Sequence, residues 1–413
     1  MDILFLGGVF AKDKEEEIYK KSNGTVQAAA NALQWNIIEG LDSWNITPIK
    51  IINSIFVGSF PNRYKDIYIK SRHWSHTNGA NDKDVGFLNL FGVKHMWKAK
   101  ALSIQILKWA ETKNDEKKVI IIYSMHTPFI YAAIKAKQVN PNVHICLICP
   151  DLPEYMNPGG KDNKLLSILK SMDKYFMNRF LKMVDSFVFL TKYMEERIAV
   201  GTKPWIVMEG IVNTSELIVK QNDEFKKSNE KVVLYTGTLN KAYGIMDLLE
   251  SFNIITDPSI HLWICGAGDA QVEVEKSSAY DERIKYFGQV SRNTAMKLQS
   301  EANLLINPRN NEGEYTKFSF PSKTMEYLLS GTPVLIYKLQ GIPEEYYSYI
   351  FTIEGIGPIG IASSIERVLK NGRRELKLHG MKARNFVINE KNNKIQAKRI
   401  IDLVNEIKTD KVL

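Results

Sequence analysis

Two doubly wound α/β domains are predicted for this chain by three observations. Short apolar runs alternate with helical stretches, the alternation occurs twice, and a polar segment separates the two series. A length of 413 residues is enough for each domain to bury its own core. The first series places strands at 3–6, 51–57, 119–123, 144–149, 187–190 and 205–208, and the second at 232–236, 261–265, 284–287, 303–306, 333–336 and 349–352. Between them, 213–231 is rich in Lys, Glu, Asn and Ser and reads as the linker. After the second series come a helix at 361–369 and a long polar helix over about 389–407. The expected organisation is a first domain over 1–205, a second over 206–385, and a C-terminal helix in 386–413 that packs back on the first.

Composition narrows the class. With 44% hydrophobic and 24% charged residues the chain is ordinary globular material, and no uninterrupted apolar run reaches the ~18 residues a membrane span needs. The start, Met1 to Gly8, has no basic leader and the chain turns polar by Lys12, so no signal peptide and a cytoplasmic location are expected. The formal charge of +9 is uneven: residues 1–200 hold 27 Lys and Arg against 20 Asp and Glu. A basic first half favours an anionic partner, such as a phosphate-bearing molecule or an acidic lipid surface. Nucleic acid is supported by charge alone and is not expected. In 161–182, Lys164, Lys170, Lys174 and Arg179 interleave with Leu165, Leu166, Ile168, Leu169, Met172, Phe176 and Phe180, which suits either a helix lying on an anionic membrane or a core-facing amphipathic helix. Cys146 and Cys149 fall in one apolar strand on opposite faces, so neither a disulfide nor a shared metal is expected. Asp82-Lys83-Asp84, the one Asp-x-Asp near a strand-end loop, lies in an Asn/Gly-rich stretch and reads as solvated. No metal site is expected.

Parallel sheets bind ligands outside the carboxyl ends of their strands, so the residues just after each apolar run are the candidates. In the first domain these are Gly7 and Gly8, then His126, then Asp151, then Thr191. Asn23 and Gly24 join them, just before a helix rich in small residues. Two glycines there allow close approach of a ligand or of another backbone, or simply form a tight turn. His126 precedes Thr127-Pro128, which open a helix, and an imidazole at a strand end can bond a sugar hydroxyl.

The second domain is more explicit. Its first strand runs into Gly237-Thr238-Leu239-Asn240-Lys241 and then Gly244 before a helix, an arrangement that cradles phosphates although the Gly-Lys-Ser/Thr ending of a P-loop is absent. The second strand ends at Gly266-Ala267-Gly268-Asp269, and the fourth at Asn307-Pro308-Arg309. The segment from Phe318 to Val334 contains Phe320-Pro321-Ser322-Lys323, with Pro321 in a first helical turn, Glu326 one turn on, and a helix end near Ser330-Gly331. A helix start with Lys323 suits a diphosphate, and Glu326 on the same face suits a ribose diol. Taken alone, Lys323 and Glu326 also fit an exposed ion pair worth a few tenths of a kcal/mol. Lys241, Arg309 and Lys323 follow three strands of one sheet, and that convergence suits a diphosphate better than a neutral ligand.

These motifs resemble those of the retaining GT-B glycosyltransferases of family 4, and the resemblance spans nearly the whole chain. It rests on Tyr235-Thr236-Gly237-Thr238, on 241–244, on Gly266 and Gly268, on Asn307-Pro308, and most closely on 326–334. The resemblance implies a GT-B fold, two Rossmann-like domains facing a central cleft, with a nucleotide-diphosphate sugar as donor substrate and no cofactor. It implies that Lys241 neutralises the donor diphosphate, that Glu326 holds the ribose, and that His126 stands near the transferring sugar. Catalytic roles then fall to His126, Lys241 and Lys323. Donor contacts fall to Gly237, Thr238, Gly266, Gly268, Arg309, Phe320, Pro321, Ser322 and Glu326, and the acceptor side to Gly7, Gly8, Asn23, Gly24 and Asp151. Two positions depart from the family pattern: Phe318 stands where the first Glu of Glu-x7-Glu is usual, and Thr238 where an arginine is usual. Lys323 is the expected substitute cation, and Glu312 or Glu314 the candidate substitute carboxylate. The expected activity is retaining hexosyl transfer to a saccharide or lipid-linked saccharide acceptor, in bacterial surface polysaccharide synthesis at the inner face of the cell membrane. An NDP-sugar epimerase of the same fold and a non-catalytic nucleotide-sugar-binding subunit are the alternatives.

Overall fold

A computed structural model describes residues 1–24, 26–112, 116–153, 164–198, 200–214 and 230–406, with backbone alone for 164–166, 168 and 169. The chain divides into two units, 1–211 with 393–413, and 212–392.

In the first unit the strands are β1 (Asp2–Gly7), β2 (Lys50–Asn53), β3 (Tyr68–Ile69), β4 (Arg72–Trp74), β5 (Asp82–Asp84), β6 (Phe87–Leu88), β7 (Lys118–Tyr123), β8 (His144–Cys149), β9 (Ser186–Phe189) and β10 (Trp205–Val207). The helices are α1 (Glu15–Lys21), α2 (Ala28–Asp42), α3 (Lys94–Ala110), α4 (Thr127–Val139) and α5 (Lys164–Leu181). Eight strands form one sheet in the order β10-β9-β8-β7-β1-β2-β5-β4, parallel except for the β4–β5 pair. β7 and β8 are buried at every position, as continuous apolar runs must be when helices cover both faces of a sheet. Cys146 and Cys149 are both buried free thiols in β8, and burial pushes the Cys146 thiol up to about 12.

The second unit holds β11 (Lys231–Thr236), β12 (Ile260–Cys265), β13 (Ile284–Tyr286), β14 (Leu304–Asn307), β15 (Val334–Ile336) and β16 (Phe351–Thr352). Its helices are α6 (Ile245–Ile254), α7 (Gln271–Tyr280), α8 (Arg292–Glu301), α9 (Ser322–Ser330), α10 (Gly357–Leu369) and α11 (Arg373–Glu390). Its sheet runs β13-β12-β11-β14-β15-β16, every pair parallel. Counted within the unit this is the order 3-2-1-4-5-6, which reverses direction between β11 and β14 and opens a crevice there.

Several expectations change. The helix predicted over about 389–407 is α12 (Asn393–Glu406), which starts four residues later, is separated by a break from α11, a helix not read from the sequence, and belongs to the first unit. The break at 391–392 is where Val212 bridges Asn392, the two crossings of the chain between units lying side by side. The crossings at 211/212 and 392/393 lie six and seven residues beyond the boundaries read from sequence, and 215–229, most of the expected linker, lies outside the described residues. The segment 54–93 carries the short strands β3 to β6, absent from the strands read from sequence.

The Asp-x-Asp reading is overturned. Asp82 is 0% and Asp84 7% exposed, and both lie in β5. Asp84 accepts hydrogen bonds from Asn53 Nδ2 at 2.8 Å, Trp74 Nε1 at 3.0 Å and Arg72 Nε at 2.7 Å. Asp82 accepts from the Ile51 amide at 3.0 Å and from the His76 amide at 2.7 Å, and its Oδ2 lies 2.7 Å from His76 Nδ1. On the other side of the ring, His76 Nε2 lies 2.8 Å from Asp42 Oδ2. A polar-looking sequence thus encodes a buried network, because each carboxylate finds enough donors to offset its desolvation.

Candidate functional site

The crevice between β11 and β14 gathers most of the residues singled out in the second domain. The loop after β11 packs backbone to backbone on its neighbours. The Gly237 amide donates to Cys265 O at 3.0 Å, and Tyr235 OH donates to Thr238 O at 2.8 Å. Gly266, at φ +140°, lies so close to Gly237 that a Cβ there would stand 1.8 Å from its carbonyl oxygen. At Gly268 a Cβ would stand 2.2 Å from Leu239 O. Gly266→Ala is therefore expected to displace the loop after β11 and to lower the unfolding free energy by at least ~2 kcal/mol, read as a fall in melting temperature. An unchanged melting temperature would contradict the packing described here.

Arg309 follows β14 and is clamped by aromatic rings. Its guanidinium carbon lies 5.5 Å from the Tyr243 ring centroid and 4.9 Å from that of Tyr315, and Nη2 donates to Ser319 Oγ at 3.0 Å. Its Nε is buried without a hydrogen-bond partner, a donor left over after every protein contact is made. Ser319 leads straight to α9, so Arg309 is tied to the start of that helix. α9 begins at Ser322 with Pro321 as its N-cap, one residue later than the sequence suggests, and ends at Gly331 in the left-handed conformation.

On the first turns of α9, Lys323 Nζ lies 3.0 and 3.2 Å from the two oxygens of Glu326. The pair is partly exposed and formed. What sets it apart from a surface pair is a network that sequence reading missed. Gln299 Nε2, from α8, donates to Glu326 Oε1 at 2.6 Å and to Thr236 Oγ1 at 3.0 Å, and Thr332 Oγ1 holds the Gln299 carbonyl at 2.7 Å. Tyr327 OH donates to Thr236 O at 3.0 Å and accepts from the Thr236 amide at 2.9 Å, tying α9 to the end of β11. Gln299 is 1% exposed, and nothing local in the run Met296-Lys297-Leu298-Gln299 marks it.

Other residues stand elsewhere. Lys241 is turned to Glu273 of α7, with its amide bonded to Asp269 at 2.9 Å, and the Glu273 hydrogen bond raises its pKa. Phe320 packs inward, 5.5 Å from the Tyr346 ring, and Phe318 is 2% exposed. Ser322 is exposed, as are Glu312 and Glu314.

In the first unit the sheet reverses between β1 and β7, so Gly7, Gly8 and His126 meet at its switch point. The close approach that Gly7 and Gly8 permit is taken by the chain itself. A Cβ on Gly7 would meet Gln34 Oε1 at 2.4 Å, and one on Gly8 would meet the Phe56 ring at 2.3 Å. His126 stacks on Phe129 at 4.8 Å, His95 at 5.2 Å and Phe56 at 5.8 Å. Its pKa lies well below the ordinary histidine value, through burial first and then the charges of Lys98, His95 and Lys94, so the ring is neutral. Asp151 follows β8 and keeps a solvent-open face, but desolvation lifts its carboxyl to about 6. Asn23 Nδ2 reaches Pro61 O at 3.5 Å, and Gly24 stands in open space at φ +94°. Among the described residues no three His, Cys, Asp or Glu side chains gather to hold a metal ion, and no helix is long and apolar enough to cross a membrane.

Residues 219–393 match the family described as "Glycosyl transferases group 1". No curated protein matches the sequence. Among solved structures, a glycosyltransferase from Rickettsia africae ESF-5 superposes with a TM-score of 0.65 at 14% identity, covering 99% of each chain. Sucrose-phosphate synthase from Thermosynechococcus elongatus gives 0.63 at 14%, covering 98% of this chain and 99% of its own. HepE of Anabaena, solved in complex with UDP, gives 0.63 at 12%, covering 98% and 100%. At these identities the likeness carries the fold, which is GT-B with two Rossmann-like sheets.

Proposed function

We propose that this chain is a glycosyltransferase that moves a hexosyl group from a nucleotide-diphosphate sugar to a saccharide or lipid-linked saccharide acceptor, with retention of configuration. The observation that carries this reading is the crevice between β11 and β14, where Arg309 keeps an unpartnered buried donor beside the start of α9 and Glu326 is oriented by Gln299. The match of this unit to the group 1 glycosyl transferases supports it. Neighbours of the same fold include proteins whose descriptions name UDP and glucose-6-phosphate, which supports a nucleotide sugar as donor and a saccharide as acceptor.

Arg309, Lys323 and the α9 start take the diphosphate, Glu326 accepts from the ribose diol, and Gly237, Thr238, Gly266 and Gly268 bring backbone amides close to it. The C1–O bond of the donor breaks and the diphosphate leaves with the electron pair. The acceptor oxygen attacks C1 from the same face and its proton passes to a diphosphate oxygen. Positive groups aimed at the departing diphosphate supply the stabilisation, which makes the reaction metal-independent. Lys241 joins them by exchanging Glu273 for phosphate, and His126, neutral at pH 7, bonds a hydroxyl of the sugar. The first unit binds the acceptor. A role in bacterial surface polysaccharide synthesis, on the cytoplasmic side of the cell membrane, fits that acceptor class. The exposed Met172, Tyr175 and Phe176 of α5 support contact with an anionic lipid surface.

A panel of nucleoside diphosphates followed by NDP-sugars tests the reading by thermal shift. The matching nucleotide is expected to stabilise by about 2.7 kcal/mol at a hundred times its Kd, and its sugar to turn over. If no nucleotide shifts the melting temperature, the donor site is refuted. One observation favours a second reading. Phe318 is a buried ring at the position where the motif of the family that the sequence resembles has a carboxylate, which suits a non-catalytic nucleotide-sugar-binding subunit. Binding without turnover toward any acceptor would select it.

A further inference from the structure

α3 presents a group of basic residues that the donor chemistry does not use. Lys94 Nζ reaches Val57 O at 3.4 Å, Lys98 Nζ reaches Ile55 O at 3.1 Å, and His95 stacks on His126 at 5.2 Å. All three therefore face the loop after β2 and the switch point of the first sheet. Arg63, exposed on the next loop, adds a charge that acts on Lys94, while burial and the lysines beside it hold the His95 ring below the ordinary histidine value. The carboxylate that reaches the cluster is Asp173 of α5, felt by His95 and itself accepting from Thr127 Oγ1 at 2.6 Å. Behind these groups His126 Nδ1 is buried with no hydrogen-bond partner. Positive charge is thus concentrated where a parallel sheet takes its ligand, beside an unmet polar atom.

Lys98 is 2% exposed and sits 4.2 Å from the Phe87 ring, so it backs the group from behind, out of a ligand's direct reach. Lys94 is half-buried and His95 exposed, so both are within a ligand's reach. The cations also raise one another's cost of ionisation. Lys94 is held below the ordinary lysine value by burial and Arg63, and Lys98 is brought down to about 7 by burial and Lys94. An anion relieves both.

We propose that Lys94, His95 and Arg63 form a phosphate site, backed by Lys98 and His126, that receives the phosphoryl group of the acceptor. This rests on the reading of the first unit as the acceptor-binding half, and it narrows the acceptor to a phosphate ester or a lipid-linked phosphate. Met96 and Trp97, 76% and 46% exposed on the same turn of α3, suit the lipid-borne form.

The test titrates the full-length chain with inorganic phosphate and follows the imidazole resonances of His95 and His126. Saturable shifts are expected in the wild type, with affinity falling at least ~10-fold in Lys94→Gln and in His95→Gln, as for loss of one charge-assisted hydrogen bond. Two further arms separate the sources: a hexose 6-phosphate, and phosphatidylcholine vesicles with and without phosphatidylglycerol. Binding of either kind that the same substitutions weaken supports the proposal and identifies the form. No saturable binding of phosphate, hexose phosphate or anionic vesicles, or equal binding by wild type and both variants, overturns it. Thermal shift by the cognate nucleoside diphosphate is measured on the same variants. If that shift persists while phosphate binding is absent in the wild type, this inference falls and the donor reading stands; if nucleotide binding alone is absent, the reverse holds.

Discussion

Lys323→Ala is expected to lower kcat by about 10²–10³-fold while leaving the fold intact. The magnitude is that of removing one preorganised group aimed at charge that develops in the transition state. Alanine favours the helix, and a partly exposed ion pair such as Lys323–Glu326 contributes only about 0.2–1 kcal/mol, so the melting temperature should move little. Steady-state kinetics with the donor selected by thermal shift separates the possibilities. A fall in kcat and kcat/KM together identifies an interaction made with the departing diphosphate. A rise in KM alone would mean that Lys323 binds donor and transition state equally. An unchanged kcat would remove Lys323 from the catalytic group.

The second large effect concerns stability. His76→Gln is expected to destabilise the first unit by about 3–5 kcal/mol, because it removes the charged partner of Asp82, a carboxylate with 0% exposure. The same site predicts a pH dependence. Burial opposes the charged ring, but hydrogen bonds to Asp42 and Asp82 overcome it and raise the His76 pKa from 6.5 to about 9. A raised folded-state pKa means that the native chain holds a proton the unfolded chain has released. Its contribution is therefore complete below pH ~6.5 and is lost as pH rises toward 9, an amount of about 3 kcal/mol. Denaturant unfolding of wild type and His76→Gln across pH 6 to 9.5 checks it. The wild type should lose stability over this window and the variant should not. Parallel curves would show that His76 is neutral in the folded chain.

How far the sequence carried depends on whether the signal was local. The α9 segment was legible because proline, a basic residue, an acid and glycine stand at fixed offsets within one helix and its caps. The strands were legible because their apolar runs are continuous where helices cover both faces. Gln299, by contrast, reaches Glu326 from a different helix, and its amide acquires a role only when α8 is packed on α9. Asp82 and Asp84 were misread because solvated and buried carboxylates look alike until their donors, His76, Arg72, Asn53 and Trp74, are brought around them. The cluster on α3 was missed for the same reason: Lys94, His95 and Lys98 are an ordinary basic turn until His126 and the 54–58 loop meet them.

By itself, the sequence determined the two α/β series, the glycine turns after β11 and β12, and the start of α9 to within one residue, since backbone conformation and apolar periodicity are properties of neighbouring residues. Only the tertiary structure decided which charges work together. Lys241 turns to Glu273, Arg309 goes between two tyrosines beside α9, and the α3 cations gather on His126. Those placements follow from strand order, and a sheet that reverses between its first and fourth strands brings side by side loops that lie some seventy residues apart in the chain.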